Sequence, residues 1–137
     1  MHYLFTDGGS RGNPGNSACA SFLFDESMNL VAFDAKFLNS GTNNNAEYNA
    51  LKLGLKLASK NGVEELTCKL DSELAVKQIK GEYKVKDENI QKLHKDILAA
   101  AKSFKSIQFI HVPRSENKHA DRLVNVILDS IESSTTN

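Results

Sequence analysis

Residues 39–58, NSGTNNNAEYNALKLGLKLA, hold the point at which the hydrophobic period of the chain changes. Asn39 to Asn45 is polar and reads as a loop. From there Glu47, Leu51, Gly54, Leu55 and Ala58 fall on one stripe at helical spacing, with Asn49, Lys52, Lys56 and Lys60 opposite. Asn61-Gly62 then closes the helix. The residues before this switch read as strands and turns, and those after it alternate helix with strand.

Upstream, His2 to Thr6 is a short aromatic-rich apolar run that stops at the Gly-rich stretch Asp7 to Asn16, a strand and its turn. Ser17 to Phe24 and Leu30 to Leu38 are two more strands, joined by the hairpin-length connection Asp25 to Asn29. Downstream, Leu66, Cys68 and Leu70 alternate with Thr67 and Lys69 in a fourth strand ending at Asp71-Ser72. Ser72 to Ile79 and Asp87 to Lys102 read as helices joined by the Lys-rich stretch Lys80 to Lys86. Ile107 to Val112 is a fifth strand closed by Pro113. Glu116 to Ile131 is a last helix, and Glu132 to Asn137 a polar tail expected to be disordered.

This order predicts an α/β fold with a five-stranded mixed sheet: three antiparallel strands, then two entered by helical crossovers, with helices on its faces. The 137 residues, 40% hydrophobic, suit one domain over residues 1–131. No run approaches the length of a membrane span and the N-terminus lacks signal-peptide character, so no membrane association and a cytoplasmic location are expected. Cys19 and Cys68 have no metal-ligand spacing and read as reduced core thiols. Net charge is zero, yet residues 76–122 carry eleven Lys or Arg against six Asp or Glu, while residues 1–75 carry six against nine. Such asymmetry fits a solvated face or a phosphate-binding surface.

Four acids stand out. Glu47 shares a stripe with apolar residues, where an ionised carboxylate costs several kcal/mol unless paired or metal-bound. Asp7 and Asp71 end strands, and Asp121 lies beside the apolar stripe of the last helix. Each also has an ordinary explanation, as a turn residue, a cap or a first-turn acid. Gathered at one sheet edge, they suit hard divalent cations such as Mg²⁺ or Mn²⁺ and, with two ions, phosphodiester hydrolysis.

Four blocks occur in order: Thr6-Asp7-Gly8-Gly9-Ser10-Arg11-Gly12-Asn13-Pro14-Gly15, Thr42-Asn43-Asn44-Asn45-Ala46-Glu47, Leu70-Asp71-Ser72-Glu73 and Glu116-Asn117-Lys118-His119-Ala120-Asp121. Together they resemble ribonuclease H of type 1, over nearly the whole chain. The resemblance implies a ribonuclease H-like fold and an endoribonuclease that cuts the RNA strand of RNA–DNA hybrids, leaving 5′-phosphate and 3′-hydroxyl ends. It implies two Mg²⁺ or Mn²⁺ ions held by Asp7, Glu47, Asp71 and Asp121. It also implies substrate contacts from Gly12, Asn13, Thr42, Asn43 and Asn44; the basic protrusion of some bacterial members has its nearest counterpart in Lys77, Lys80, Lys84 and Lys86, with Tyr83 between them, and Lys84 and Lys86 are the candidate substrate contacts. A monomer is expected.

The chain departs from many bacterial members, which carry a catalytic His in a longer loop before the fourth acid. Here Val112 to Glu116 is short and holds Arg114, as in the archaeal and plant-like branch, so Arg114 is a candidate for assisting charge development or product release. A solvated loop Arg is the alternative. His119 reads as a surface residue, His111 in the fifth strand as a packing or surface contact, and Glu73 stands where many relatives have Gln. Alternative functions are an inactive hybrid-binding module and a same-fold nuclease that also cuts double-stranded RNA.

Overall fold

The computed structural model describes residues 1–135, with side chains through Ser133. Its elements are β1 (His2–Gly12), β2 (Gly15–Phe24), β3 (Leu30–Gly41), α1 (Asn43–Lys60), β4 (Glu65–Leu70), α2 (Glu73–Ile79), α3 (Glu88–Ala101), β5 (Ser106–His111), a 3-10 turn (Arg114–Glu116) and α4 (Lys118–Thr135). The sheet runs β3-β2-β1-β4-β5. Antiparallel pairing joins β1 to β2 and β2 to β3, and parallel pairing joins β1 to β4 and β4 to β5. This is the α/β fold with a mixed sheet that the alternation of patterns predicts.

The two faces are covered unequally. On one, α1 to α3 bury Leu4, Leu23, Tyr48, Leu51, Leu55, Leu66, Cys68, Leu70 and Ile97 in the larger core. Each aliphatic side chain among them contributes about 1.5–3 kcal/mol on leaving water. On the other face, α4 lays Ala120, Val124 and Leu128 over Ala18 and Ala20, where small strand residues let the helix approach. Cys19 and Cys68 are buried and unpaired, and burial pushes the Cys19 thiol up to about 12.

Three boundaries differ from the sequence reading. The Gly-rich stretch is not a turn: β1 continues to Gly12 and only Asn13 and Pro14 separate it from β2. Gly8 and Gly9 therefore pair with Cys19 and Ala18 in the sheet, and Asp7 lies inside a strand instead of ending it. Residues 39–45 are not a loop either. β3 runs to Gly41 with a register shift opposite Ser17 and Ala18, Asn39 taking a positive φ of 63° there. Thr42 caps α1 directly, its Oγ1 accepting from the Asn45 amide at 3.1 Å. Polar residues in a bulged strand and a helix cap look like loop residues in composition. The last helix runs on to Thr135, past Ile131, and residues 136 and 137 of the expected tail lie outside the described residues. No helix among the described residues is long and apolar enough to cross a membrane.

Candidate active site

The site forms where two parallel strands part. The pairing of β1 with β4 ends at Thr6 and Leu70, so the next residues, Asp7 within β1 and Asp71 just past the end of β4, emerge side by side at the junction. Ser72 then caps α2, its Oγ accepting from the Ala75 amide at 3.2 Å, which turns the chain away from the sheet. Such a divergence opens a crevice at the carboxyl ends of the strands.

Glu47 reaches the same point from α1. It lies beyond the first turn of the helix, which holds no acid, so attraction to the helix N-terminus does not explain its place. Gly8 brings it there: a Cβ on Gly8 would sit 2.2 Å from the backbone carbon and oxygen of Ala46, so only glycine lets α1 lie this close to β1. Asp7, Glu47 and Asp71 each place a carboxylate oxygen within 4.8 Å of the others, a cluster that can hold a metal ion. Asp121, in the first turn of α4, lines the same open cleft of about 350 Å³, with Asp7, Glu47, Asp71, Asn43 and Arg114.

Burial and like charge make this cluster costly when empty of cations. Asp7 is pushed up to about 7, first by burial, then by the charge of Asp71, with a smaller push from Asp121. Glu47 is held well above the usual carboxylate range, again first by burial and then by Asp7 and Asp71. Its Oε2 is buried and accepts no hydrogen bond. A divalent cation among them would attract each carboxylate and offset their mutual repulsion, and an all-oxygen donor set of this kind matches Mg²⁺ or Mn²⁺. The residues present therefore fit such an ion.

The other predicted residues fall into three groups. Arg114 is at the cleft, its guanidinium donating to Asp121 Oδ1 at 2.9 Å while its side chain stays 74% exposed. Asn43 lines the cleft and is held from two sides: its Oδ1 accepts from the Ser10 amide at 2.9 Å and its own amide donates to Asn13 Oδ1 at 3.1 Å. Gly12, with φ of 98°, precedes Asn13. Thr42 is spent as the cap, and Asn44 donates to Gln78. Lys84 and Lys86 are exposed in the connection between α2 and α3, apart from the residues that line the cleft. His119 packs against Phe22 and Phe24, and His111 is exposed. Glu73 pairs with Lys77 at 2.9 Å.

Sequence reasoning missed the residues that hold α4 in place. Asn117 is buried and donates from Nδ2 to the carbonyl of Thr6 at 2.7 Å, next to Asp7, and its carbonyl accepts from the Asp121 amide at 3.1 Å. Further along, Arg11 donates to Asn125, Asp129 and Glu132 of the same helix. Nothing in a polar run such as Glu116-Asn117-Lys118 marks which residue is buried. Asn117→Ala should lose about 1–3 kcal/mol of stability, because it leaves the buried Thr6 carbonyl without a donor. Urea unfolding checks this, and a loss under about 0.5 kcal/mol would show that the contact does not anchor the helix.

Comparison with known proteins agrees with this architecture. A family model described as "Reverse transcriptase-like" matches residues 5–127. The bifunctional protein Rv2228c of Mycobacterium tuberculosis is 39% identical over 125 residues, covering 90% of this chain and 34% of that protein. Ribonuclease HI of Halobacterium salinarum is 33% identical over 127 residues, covering 93% of this chain and 64% of that protein. The chain thus spans between a third and two thirds of the length of these curated relatives. Among solved structures, the N-terminal RNase H domain of Rv2228c superimposes with a TM-score of 0.94 at 36% identity, covering 98% of this chain and 97% of that one. LC11-RNase H1 in complex with an RNA/DNA hybrid gives 0.90 at 33% identity, covering 96% and 99%. RNase H1 of H. salinarum gives 0.91 at 32% identity, covering 94% and 98%. With the family model and these full-length structural matches in agreement, the chain belongs to the ribonuclease H family, with type 1 enzymes as its structural neighbours.

Proposed function

We propose that this chain is an endoribonuclease that hydrolyses the RNA strand of RNA–DNA hybrids in the presence of Mg²⁺ or Mn²⁺, two ions per site, leaving 5′-phosphate and 3′-hydroxyl ends. The observation that carries this reading is the buried, unpartnered Oε2 of Glu47 in a cluster with Asp7 and Asp71. A structural neighbour solved with an RNA/DNA hybrid supports the choice of substrate.

On this reading Asp7, Glu47, Asp71 and Asp121 hold the ions. Divalent ions held there would supply the charge that lowers the pKa of an attacking water and stabilises the departing oxygen. The chain's own part is placement. The Gly8 contact fixes Glu47 against Asp7, and the Asn117 anchor fixes Asp121 against both. Asn43, held by Ser10 and Asn13, faces the cleft, where an amide can meet base edges or 2′-hydroxyls in the wide minor groove of a hybrid. Gly12, Asn13, Thr42 and Asn44 shape that contact, and Lys84 and Lys86 meet backbone phosphates. The enzyme works as a monomer in the cytoplasm.

Arg114 supplies a cation beside the scissile phosphate. Its ion pair with Asp121 is exposed and contributes little to stability. Arg114→Ala should therefore lower kcat by about tenfold or more while leaving the melting temperature within about 1 °C. Equal turnover in the variant would return Arg114 to the role of a solvated loop residue.

The test of the reading is strand-specific cleavage. Purified protein with Mg²⁺ or Mn²⁺ is given end-labelled hybrid, duplex RNA and duplex DNA. The RNA of the hybrid should shorten to fragments with 3′-hydroxyl ends while the DNA stays intact. Full-length RNA across both metals would refute the proposal, and cleavage of duplex RNA as well would widen the substrate range.

A further inference from the structure

A polar network behind the cleft has its centre on Gln78 of α2, a buried side chain that both the motif blocks and the acid cluster leave out. Its Nε2 donates to the carbonyl of Lys84 at 3.4 Å. A carbonyl can only accept, so this bond sets the orientation of the Gln78 amide and turns Oε1 toward α1. There Oε1 accepts from the hydroxyl of the fully buried Tyr48 at 2.9 Å and from Asn44 Nδ2 at 3.3 Å. Asn44 and Tyr48 are four residues apart on α1 and so share a stripe of the helix. On the far side, the Gln78 backbone carbonyl contacts His94 Nε2 of α3 at 3.0 Å.

The consequence falls on Asn44. With Nδ2 committed to Gln78, the amide has one orientation, and its Oδ1 is buried without any hydrogen-bond partner. A buried unpaired acceptor costs free energy, so the Gln78 bond is what holds this side chain in place. Asn44 adjoins Asn43, which lines the cleft. An RNA strand carries a hydroxyl donor on every ribose, and a DNA strand carries none there.

We propose that Gln78 is a positioning residue for substrate recognition: it locks the Asn44 side chain and so fixes the start of α1, where Asn43 faces the cleft. The inference rests on hybrid cleavage as the function, with Asn43 in contact with the hybrid.

Steady-state kinetics on the hybrid, with Gln78→Met as the shape-preserving variant that cannot accept, test this. KM should rise about tenfold, the equivalent of one hydrogen bond, with kcat within about twofold. In an Asn44→Ala background, Gln78→Met should add nothing, since the residue acts through Asn44. A structural role alone would lower kcat and would multiply with Asn44→Ala, whereas the melting temperature falls in either case because the variant leaves the buried Tyr48 hydroxyl unpaired. An unchanged KM, or independent effects of the two substitutions, overturns this inference and leaves hybrid cleavage standing. Absence of hybrid cleavage by the unaltered protein overturns the functional reading and this inference with it. Should Gln78→Met fail to fold, proton exchange of the Asn side-chain amides in unaltered ¹⁵N-labelled protein decides. Asn44 should exchange at least several-fold more slowly than exposed Asn amides, and equal rates would refute the lock.

Discussion

Asp7→Asn should abolish hybrid cleavage, by about a thousandfold or more, equivalent to about 4 kcal/mol of barrier, and yet make the metal-free protein more stable at pH 8. Both effects have one cause. Asp7 is buried with Glu47 and Asp71 close by, and its carboxyl is raised from 3.8 to about 7 by burial and by the charge of Asp71. The folded, metal-free protein thus binds protons more tightly than the unfolded chain. Below about pH 4 the group is protonated in both states and no penalty exists. Between about pH 4 and pH 7 the unfolded chain ionises while the folded state still holds the proton, so stability falls with rising pH, and above about pH 7 the penalty is constant. A raise from 3.8 to about 7 corresponds to at most about 4 kcal/mol, and the neutral amide of Asn removes that penalty. Removing the charge also removes a metal ligand with little change of shape. Thermal melts from pH 4 to pH 8, with and without Mg²⁺, check the linkage. Wild-type protein should gain most from Mg²⁺ at high pH and Asp7→Asn little at any pH. A variant less stable than wild type at pH 8 without metal would show that Asp7 serves the fold instead.

Gly8→Ala should be the most damaging single-methyl change in the site. The added Cβ would lie 2.2 Å from Ala46 backbone atoms and 2.5 Å from the Glu47 amide nitrogen. Overpacking of side chains typically costs about 1–3 kcal/mol, and a backbone neighbour cannot rotate aside, so a loss of about 3 kcal/mol or more is expected. Relief requires α1 to move off β1, which carries Glu47 away from Asp7. Activity should therefore fall in the fraction that remains folded. Urea unfolding with parallel cleavage assays checks this, and a variant that keeps wild-type stability and turnover would contradict the packing account.

How much of this was legible in the sequence varies with the kind of signal. Element order was readable because Leu66, Cys68 and Leu70 alternate with polar residues while Leu51, Leu55 and Ala58 recur at helical spacing. The strand-to-helix boundaries were not, because Gly8, Gly9 and Asn39 have turn composition but sit in paired strands. Gly8 is small to admit a helix, a tertiary reason that local propensity cannot show. For the site, Glu47 declared itself by sharing an apolar stripe, and the structure strengthens that reading by removing the first-turn alternative. Asp7 needed its motif, since its position depends on where β1 and β4 stop pairing. Asn117 and Gln78 were invisible, because burial of a polar side chain is decided by partners distant in sequence, Thr6 for one and Asn44 and Tyr48 for the other.

The metal centre is the claim on which the rest depends. Anomalous diffraction from crystals grown with Mn²⁺ and a hybrid whose RNA resists cleavage locates the ions directly. Two peaks roughly 3.5–4 Å apart, contacting Asp7, Glu47, Asp71 and Asp121, are the predicted result. Hybrid bound across the cleft with no peak in contact with Asp7 and Glu47 would contradict it.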